Sequence, residues 1–134
     1  MAREVLDEMI DHALDGYPLE ACGLLVGSTS DDGDTRVVRL VRSANLAASA
    51  LVYTIDPKVH LRAERDADDE GLAVVGVMHS HTHTDPFPSP TDVSSAPDPT
   101  WQYVIVSLRD ASPALRSYRI VDGIITEEPV VVGE

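Results

Sequence analysis

Residues 72–81, which read LAVVGVMHSH, constrain the fold more than any other stretch of the chain. The run is apolar at almost every position until it reaches two histidines, so it lacks the alternation of a strand with one solvent-facing side. A short, continuous apolar run of this kind is typical of a strand that is covered on both faces. The sequence therefore predicts a central strand of a layered sheet, with His79 and His81 at its carboxyl end.

Helices are predicted on both sides of this strand. Residues 3–15 place apolar side chains at helical spacing, and Gly16 and Pro18 end that helix. A second, highly charged helix begins with Asp-Pro and covers residues 57–70. A short third helix is expected over residues 90–96, after a proline-rich loop.

The remaining apolar segments predict strands, with an Asp-Gly hairpin turn between the last two. They cover residues 21–27, 35–44, 50–56, 101–108, 114–121 and 124–132. With no repeat or linker in between, we expect one mixed α/β domain over residues 1–134. Its sheet should be largely antiparallel, with helices packed on it.

The charge and the N-terminal sequence narrow the function classes. Ten Lys and Arg face 23 Asp and Glu, for a formal net charge of −13. Such a surface repels phosphate backbones and would suit a partner with a basic face, although solubility alone also explains it. No apolar run approaches the roughly 20 residues of a membrane helix, and the acidic N-terminus lacks the core of a secretory signal. We therefore expect a cytoplasmic protein that binds neither nucleic acid nor membrane.

The two histidines at the end of the central strand are candidate metal ligands. His79 and His81 are two residues apart, so a strand directs both side chains to one face and Ser80 to the other. Both imidazoles can then approach one ion. The Thr-Asp-Pro that follows His83 predicts that the chain bends away there. The same pattern also fits two hydrogen-bonded histidines at a strand end.

Residues 89–92, Ser-Pro-Thr-Asp, permit two interpretations that can share one geometry. They form a helix start, with Ser89 as N-cap and Asp92 reaching back to the N-cap amide. Asp92 is also the candidate third metal ligand, because a carboxylate in the first turn can be held while one oxygen faces an ion. Ser89 could likewise donate to an oxyanion, in competition with its capping role.

Glu20 and Cys22 flank the start of the first predicted strand. Glu20 is either a surface acid or a general base. Two histidines and one aspartate would leave the fourth position of zinc open for water, and a nearby carboxylate could move the proton to a leaving amine. Cys22 is expected to be a buried, inert thiol, because no activating base is evident.

Together these residues match the pattern E…H-S-H-x7-S-x2-D and resemble the signature of the JAMM (MPN+) metalloprotease family. The resemblance implies a cytidine-deaminase-like fold with a curved mixed sheet of about six strands flanked by helices. It also implies a Zn²⁺ ion held by His79, His81 and Asp92, with Glu20 as base and Ser89 as oxyanion stabiliser. His83 has no place in the pattern.

Further stretches are similar to one bacterial branch of that family: EACGLL, HSHT, FPSPTDV, YVIVSLRD and LRSYRIVDGIITEEPV. This branch releases cysteine from the C-terminus of a ubiquitin-like sulfur-carrier protein, a late step of cysteine biosynthesis. Two alternatives stay open. One is an isopeptidase that acts on another ubiquitin-like tail, and the other is a non-catalytic scaffold, against which the complete motif argues.

Overall fold

The structure, a computed structural model, describes residues 1–133. Three helices and six strands follow one another along this part of the chain. In order they are α1 (Arg3–Gly16), β1 (Cys22–Thr29), β2 (Thr35–Ser43), α2 (Pro57–Asp69), β3 (Ala73–His81), α3 (Pro90–Ser94), β4 (Gln102–Ser107), β5 (Ala114–Val121) and β6 (Ile124–Glu128).

The six strands form one mixed sheet in the order β2-β1-β3-β4-β5-β6. Only the central pair, β3 and β4, is parallel, and the other neighbouring pairs are antiparallel. The connection between the two parallel strands carries α3, so β3 and β4 end at the same edge of the sheet, where His81 pairs with Ser107. The prediction of a mixed α/β fold with about six strands and flanking helices is confirmed.

The central strand β3 is covered on both faces, as its continuous apolar sequence predicts. On one face Met78 packs into the cluster that contains Met9 and Ala13 of α1. On the other face Val77 packs with Ala63 of α2 and with Trp101. Because side chains alternate along a strand, the two histidines of β3 lie on the same face as Val77, the face of α2.

The predicted strand over residues 50–56 is wrong. This segment forms a single isolated bridge, between Asn45 and Ile55, and is otherwise a loop. The side chain of Asn45 makes hydrogen bonds to this loop that a neighbouring strand would make in a sheet. Its Nδ2 donates to the carbonyl of Val52 at 3.0 Å, and its Oδ1 accepts from the amide of Thr54 at 2.9 Å. Backbone groups that a neighbouring strand would otherwise satisfy are thus satisfied by one side chain.

Several predicted ends also shift by one to four residues. β6 ends at Glu128 rather than at residue 132, because Pro129 offers no amide for the ladder. Helix α3 ends at Ser94 rather than at residue 96. None of the helices within residues 1–133 has the length and apolar character needed to span a bilayer.

Candidate metal centre

Three potential ligand atoms meet where β3 ends. His79 and His81 are almost fully buried, with 1% and 4% of their surface exposed, and their Nε2 atoms lie 3.1 Å apart. Oδ2 of Asp92 lies 3.1 Å from each of those nitrogens. The structure therefore brings together the three residues that the sequence singles out as a ligand set.

The first turn of α3 fixes the position of Asp92. Ser89 Oγ accepts from the Asp92 amide at 3.1 Å, and Asp92 Oδ2 accepts from the Ser89 amide at 2.9 Å. Both halves of a capping box are present, with Pro90 at the first helical position. The capping role of Asp92 is confirmed, and the ligand interpretation is compatible with it, because the same Oδ2 caps the helix and faces the imidazoles.

A backbone contact orients His81. Its Nδ1 lies 2.8 Å from the carbonyl oxygen of Asp85, which can only accept, so Nδ1 carries a hydrogen. The second ring nitrogen, Nε2, then faces the other two ligand atoms. The ring of His79 stacks on Tyr53, with centroids 4.4 Å apart and planes 19° from parallel. A hydrogen bond thus orients His81, whereas His79 is packed by stacking and its Nδ1 has no hydrogen-bond partner among residues 1–133.

Hydrogen bonds alone cannot satisfy this triangle of atoms. It has three contacts, yet each imidazole can place at most one proton in it and the carboxylate oxygen only accepts. At least one contact is always left without a proton. Four-coordinate zinc, with bonds of about 2.0–2.2 Å, holds its ligand atoms roughly 3.4 Å apart. The donor set and its spacing therefore fit a tetrahedral divalent cation.

The charges in the cluster favour an ionised aspartate. Burial alone would raise the pKa of Asp92, but the hydrogen bonds from His79 and His81 outweigh burial and lower that pKa below its usual range. Burial likewise dominates at His79 and lowers its pKa, which favours the neutral imidazole. Burial would also lower the pKa of His81, but its hydrogen bonds to Asp92 and to the Asp85 carbonyl outweigh burial and raise that pKa, so a cation that binds here takes the place of a proton.

Glu20 lies beside the cluster rather than on the surface. Cys22 of β1 pairs with His79, and the amide of Ser80 donates to the carbonyl of Ala21 at 3.0 Å. Continuing this antiparallel register by one step places Glu20 opposite His81, and paired residues share a face of the sheet. Only 4% of Glu20 is exposed, so it is not the surface acid that its local sequence also allowed.

The Glu20 carboxyl group is buried without full compensation. Its Oε1 has no hydrogen-bond partner among residues 1–133. Burial raises the pKa of Glu20 to about 7, with attraction to His81 lowering it and repulsion from Asp92 raising it further. A carboxyl group with such a pKa exchanges protons readily at neutral pH.

Asn45 holds the backbone of Glu20, and the sequence gives no sign of this role. The Asn45 Nδ2 donates to the Glu20 carbonyl at 3.0 Å, and the Glu20 amide donates to the carbonyl of Ser49 at 2.8 Å. The loop over residues 45–55 therefore holds the backbone of Glu20, two residues before β1 begins. Only the three-dimensional structure identifies this asparagine.

Cys22 and His83 lie outside the triangle of ligand atoms. Cys22 is fully buried, and burial raises the pKa of its thiol to about 11, as expected for an unreactive cysteine. His83 follows the end of β3, is exposed, and lies against Tyr17 with ring centroids 6.0 Å apart.

A largely apolar cavity of about 320 Å³ opens beside Asp92. Tyr53 and Ile55 of the irregular loop, Thr91 of α3 and Trp101 line it together with His60 of α2. Two larger cavities, of about 430 and 420 Å³, are lined by none of the four buried site residues. The cavity beside Asp92 offers room for a substrate next to one of the three ligand residues.

Comparison with known proteins gives matches along nearly the whole chain. Residues 2–121 match the family described as prokaryotic homologs of the JAB domain. Over 132 residues the chain is 42% identical to the CysO-cysteine peptidase of Mycobacterium tuberculosis, which covers 98% of this chain and 88% of that protein. Over 75 residues it is 35% identical to the desampylase of Pyrococcus furiosus, covering 56% of this chain and 50% of that protein.

Solved structures show the same architecture. Protein DSY2949 from Desulfitobacterium hafniense superposes with a TM-score of 0.90 at 34% identity, covering 99% of this chain and 91% of that one. The JAB1/MPN domain protein AF2198 from Archaeoglobus fulgidus superposes with a TM-score of 0.62 at 19% identity, covering 99% and 97%. The second likeness concerns the fold alone.

Proposed function

The chain belongs to the family of prokaryotic homologs of the JAB domain, and from this we propose a specific peptidase reaction. The protein hydrolyses the amide bond that joins cysteine to the C-terminus of a ubiquitin-like sulfur-carrier protein, and so serves cysteine biosynthesis. Its membership and its peptidase-named relatives identify it as a hydrolase. The specific substrate is supported by the relative named CysO-cysteine peptidase.

The observation that carries the proposal is the buried triangle of His79, His81 and Asp92 with an uncompensated carboxyl group beside it. In this proposal the three side chains hold a divalent cation, and two nitrogens with one oxygen are a ligand set that suits zinc. The bound cation would supply Lewis-acid polarisation of the scissile carbonyl and a more acidic water.

Glu20 moves the proton. Its carboxylate accepts a proton from the attacking water while the water oxygen bonds to the carbonyl carbon. It then gives that proton to the nitrogen of cysteine as the carbon–nitrogen bond breaks. Burial raises the pKa of Glu20 in the metal-free protein, and a bound dication would lower it again, which favours the carboxylate that accepts the proton of water.

Ser89 stabilises the negative charge that develops on the carbonyl oxygen. The expected competition with capping is relieved by the chemistry of a hydroxyl, which has two lone pairs and one hydrogen. Capping the Asp92 amide uses a lone pair of Ser89 Oγ, and the O–H can still donate. One side chain can therefore anchor the helix and bind the oxyanion.

The carrier tail occupies the cavity beside Asp92 in an extended conformation. A tail that ends in Gly-Gly has little bulk, and the cavity is lined mainly by apolar and aromatic side chains such as Tyr53 and Trp101. Backbone groups at its edge can pair with an extended peptide, as in strand addition. The formal charge of −13 favours a carrier with a basic face.

A second candidate is cleavage of an isopeptide bond between a ubiquitin-like tail and a protein lysine. The relative named desampylase favours it, although that match spans about half of each chain. Carriers joined to cysteine, to other amino acids and to a lysine side chain would separate the two. Preference for the cysteine adduct supports the first candidate, and equal rates favour the broader one.

The test is the release of cysteine from a defined adduct. A small ubiquitin-like protein ending in Gly-Gly is joined to cysteine and incubated with the zinc-loaded enzyme. Mass spectrometry should show the loss of one cysteine residue from the carrier, and chelation should abolish it. An adduct that stays intact with the metal-loaded protein refutes the proposal.

A further inference from the structure

The sheet edge that carries the histidines also carries an arginine. β3 and β4 run parallel, with His81 paired to Ser107, so the residues that follow each strand emerge side by side. The amide of Leu108 donates to the carbonyl of His81 at 2.9 Å, and Arg109 comes next. The amide of Arg109 donates to Oγ of Ser107 at 3.3 Å, so Arg109 follows β4 at the end of the sheet where β3 ends with His81.

The guanidinium group of Arg109 contacts the loop that orients His81. Its Nη1 donates to Oδ1 of Asp85, and the backbone carbonyl of Asp85 accepts from Nδ1 of His81. The Arg109 and Asp85 side chains are 53% and 70% exposed. An ion pair this exposed is weak, and a guanidinium group has five N–H donors in a planar fork. Arg109 can therefore bind another carboxylate beside Asp85 or in its place.

The two sides of the metal centre differ in chemistry. On the Asp92 side lies the apolar cavity with Tyr53 and Trp101, and no arginine or lysine lines it. On the His81 side, the half-exposed guanidinium group of Arg109 binds the side chain of Asp85, the residue whose carbonyl accepts from His81 Nδ1. A neutral, extended tail fits the first side, and a carboxylate fits the second. This difference gives a substrate one preferred direction across the centre.

We propose that Arg109 binds the free α-carboxylate of the amino acid that is released. This inference rests on the proposed function, since a substrate presents that carboxylate only when it is cut next to its C-terminus. In an isopeptide the leaving nitrogen ends a four-carbon side chain, and no carboxylate lies next to it. Arg109 thus selects removal of a terminal residue over cleavage of a side-chain linkage.

The experiment compares two substrates that differ in one group. A small ubiquitin-like protein ending in Gly-Gly is joined either to cysteine with a free carboxylate or to cysteine carboxamide. The wild-type enzyme should cleave the acid with a kcat/KM about 10- to 100-fold above that for the amide, as expected for one charge-assisted hydrogen bond. Arg109→Gln should lower the rate on the acid to that on the amide, and leave the rate on the amide unchanged.

Two further variants separate recognition from a structural role. Arg116 is a matched control, because it is 54% exposed and its Nη1 also binds a single carboxylate, that of Glu127. Arg116→Gln should leave the ratio of acid to amide rates unchanged. Asp85→Asn frees Arg109 but keeps the backbone carbonyl, so this variant should retain the preference for the acid.

Three results would overturn the inference. Equal cleavage of acid and amide by the wild type would reject the role of Arg109 and leave the proposed function intact. If Arg109→Gln lowered the rates on both substrates equally, and Asp85→Asn did the same, Arg109 would only stabilise its loop and would not bind the substrate carboxylate. Release of cysteine from neither substrate would reject the proposed function, and this inference with it.

Discussion

Replacing the buried Glu20 with glutamine should make the metal-free protein more stable and the enzyme much slower. Glutamine keeps the shape of the side chain but cannot ionise. In the folded protein the pKa of Glu20 is raised from 4.5 to about 7, chiefly by burial. Ionising this carboxyl group is therefore harder in the folded state than in the unfolded state, and this difference is what the substitution removes.

The sign and size of the stability change depend on pH. Below pH 4.5 the carboxyl group is protonated in both states and costs the fold nothing. Between pH 4.5 and 7 only the unfolded state loses its proton, so the wild type is destabilised progressively. Above pH 7 the cost levels off at about 3 kcal/mol, from about 2.5 pKa units at 1.36 kcal/mol each. At pH 5 it is only about 1 kcal/mol.

The assay is urea unfolding of the metal-free protein in a chelator at pH 5 and at pH 8. The free energy of unfolding of Glu20→Gln should exceed that of the wild type by about 1 kcal/mol at pH 5 and by up to about 3 kcal/mol at pH 8. Asp110→Asn, which changes an exposed carboxyl group, should show no such increase. A variant that is less stable than wild type at pH 8 would refute the uncompensated burial of Glu20.

The same variant tests the proton transfer. With its three ligands intact, Glu20→Gln should bind one equivalent of zinc, yet its kcat should fall about 10²- to 10⁴-fold, the usual share of general acid–base catalysis. Metal content by mass spectrometry and cysteine release would be measured on one preparation. Wild-type turnover in this variant would remove Glu20 from the mechanism.

Three other predictions follow from the site. His79→Ala and Asp92→Ala should each lose both bound metal and activity, and a variant that lost zinc yet kept turnover would contradict the ligand assignment. Asn45→Ala should lower the free energy of unfolding by about 2–4 kcal/mol, because it leaves backbone groups of the loop and of Glu20 without hydrogen-bond partners. The midpoint of urea unfolding measures this loss. The Cys22 thiol should not react with an aromatic disulfide reagent in the folded protein at pH 8 but should react fully in urea, and rapid labelling before unfolding would contradict its burial.

The parts of the fold that were predictable from sequence are those set by local periodicity. The continuous apolar run before His79 predicted a strand covered on both faces, and the helical spacing of residues 3–15 predicted α1. The segment over residues 50–56 was mispredicted because its short apolar pattern is also typical of a strand. Backbone groups of this segment bond to the side chain of Asn45 instead of to a neighbouring strand. The local sequence pattern does not predict such a contact.

The residues of the candidate site were likewise predictable from sequence only in part. Two histidines on one strand face, and an aspartate in a helix start, follow from spacing alone. The position of Glu20 does not, because His79 lies 59 positions further along the chain and only the register of β1 on β3 brings the two together. Arg109 gave no signal either, since its place depends on β4 lying parallel to β3.

The position of Asp92 Oδ2, between the helix cap and the imidazoles, has a consequence for how the protein would take up an ion. Starting helix α3 already positions this oxygen, and the carbonyl of Asp85 already turns one ring toward it. Little conformational entropy is then left to lose when a cation arrives, so binding energy goes into affinity rather than into ordering the ligands. We therefore expect the site to be preorganised, so that the amide hydrogen exchange rates of α3 are nearly the same in the metal-free and the metal-bound protein.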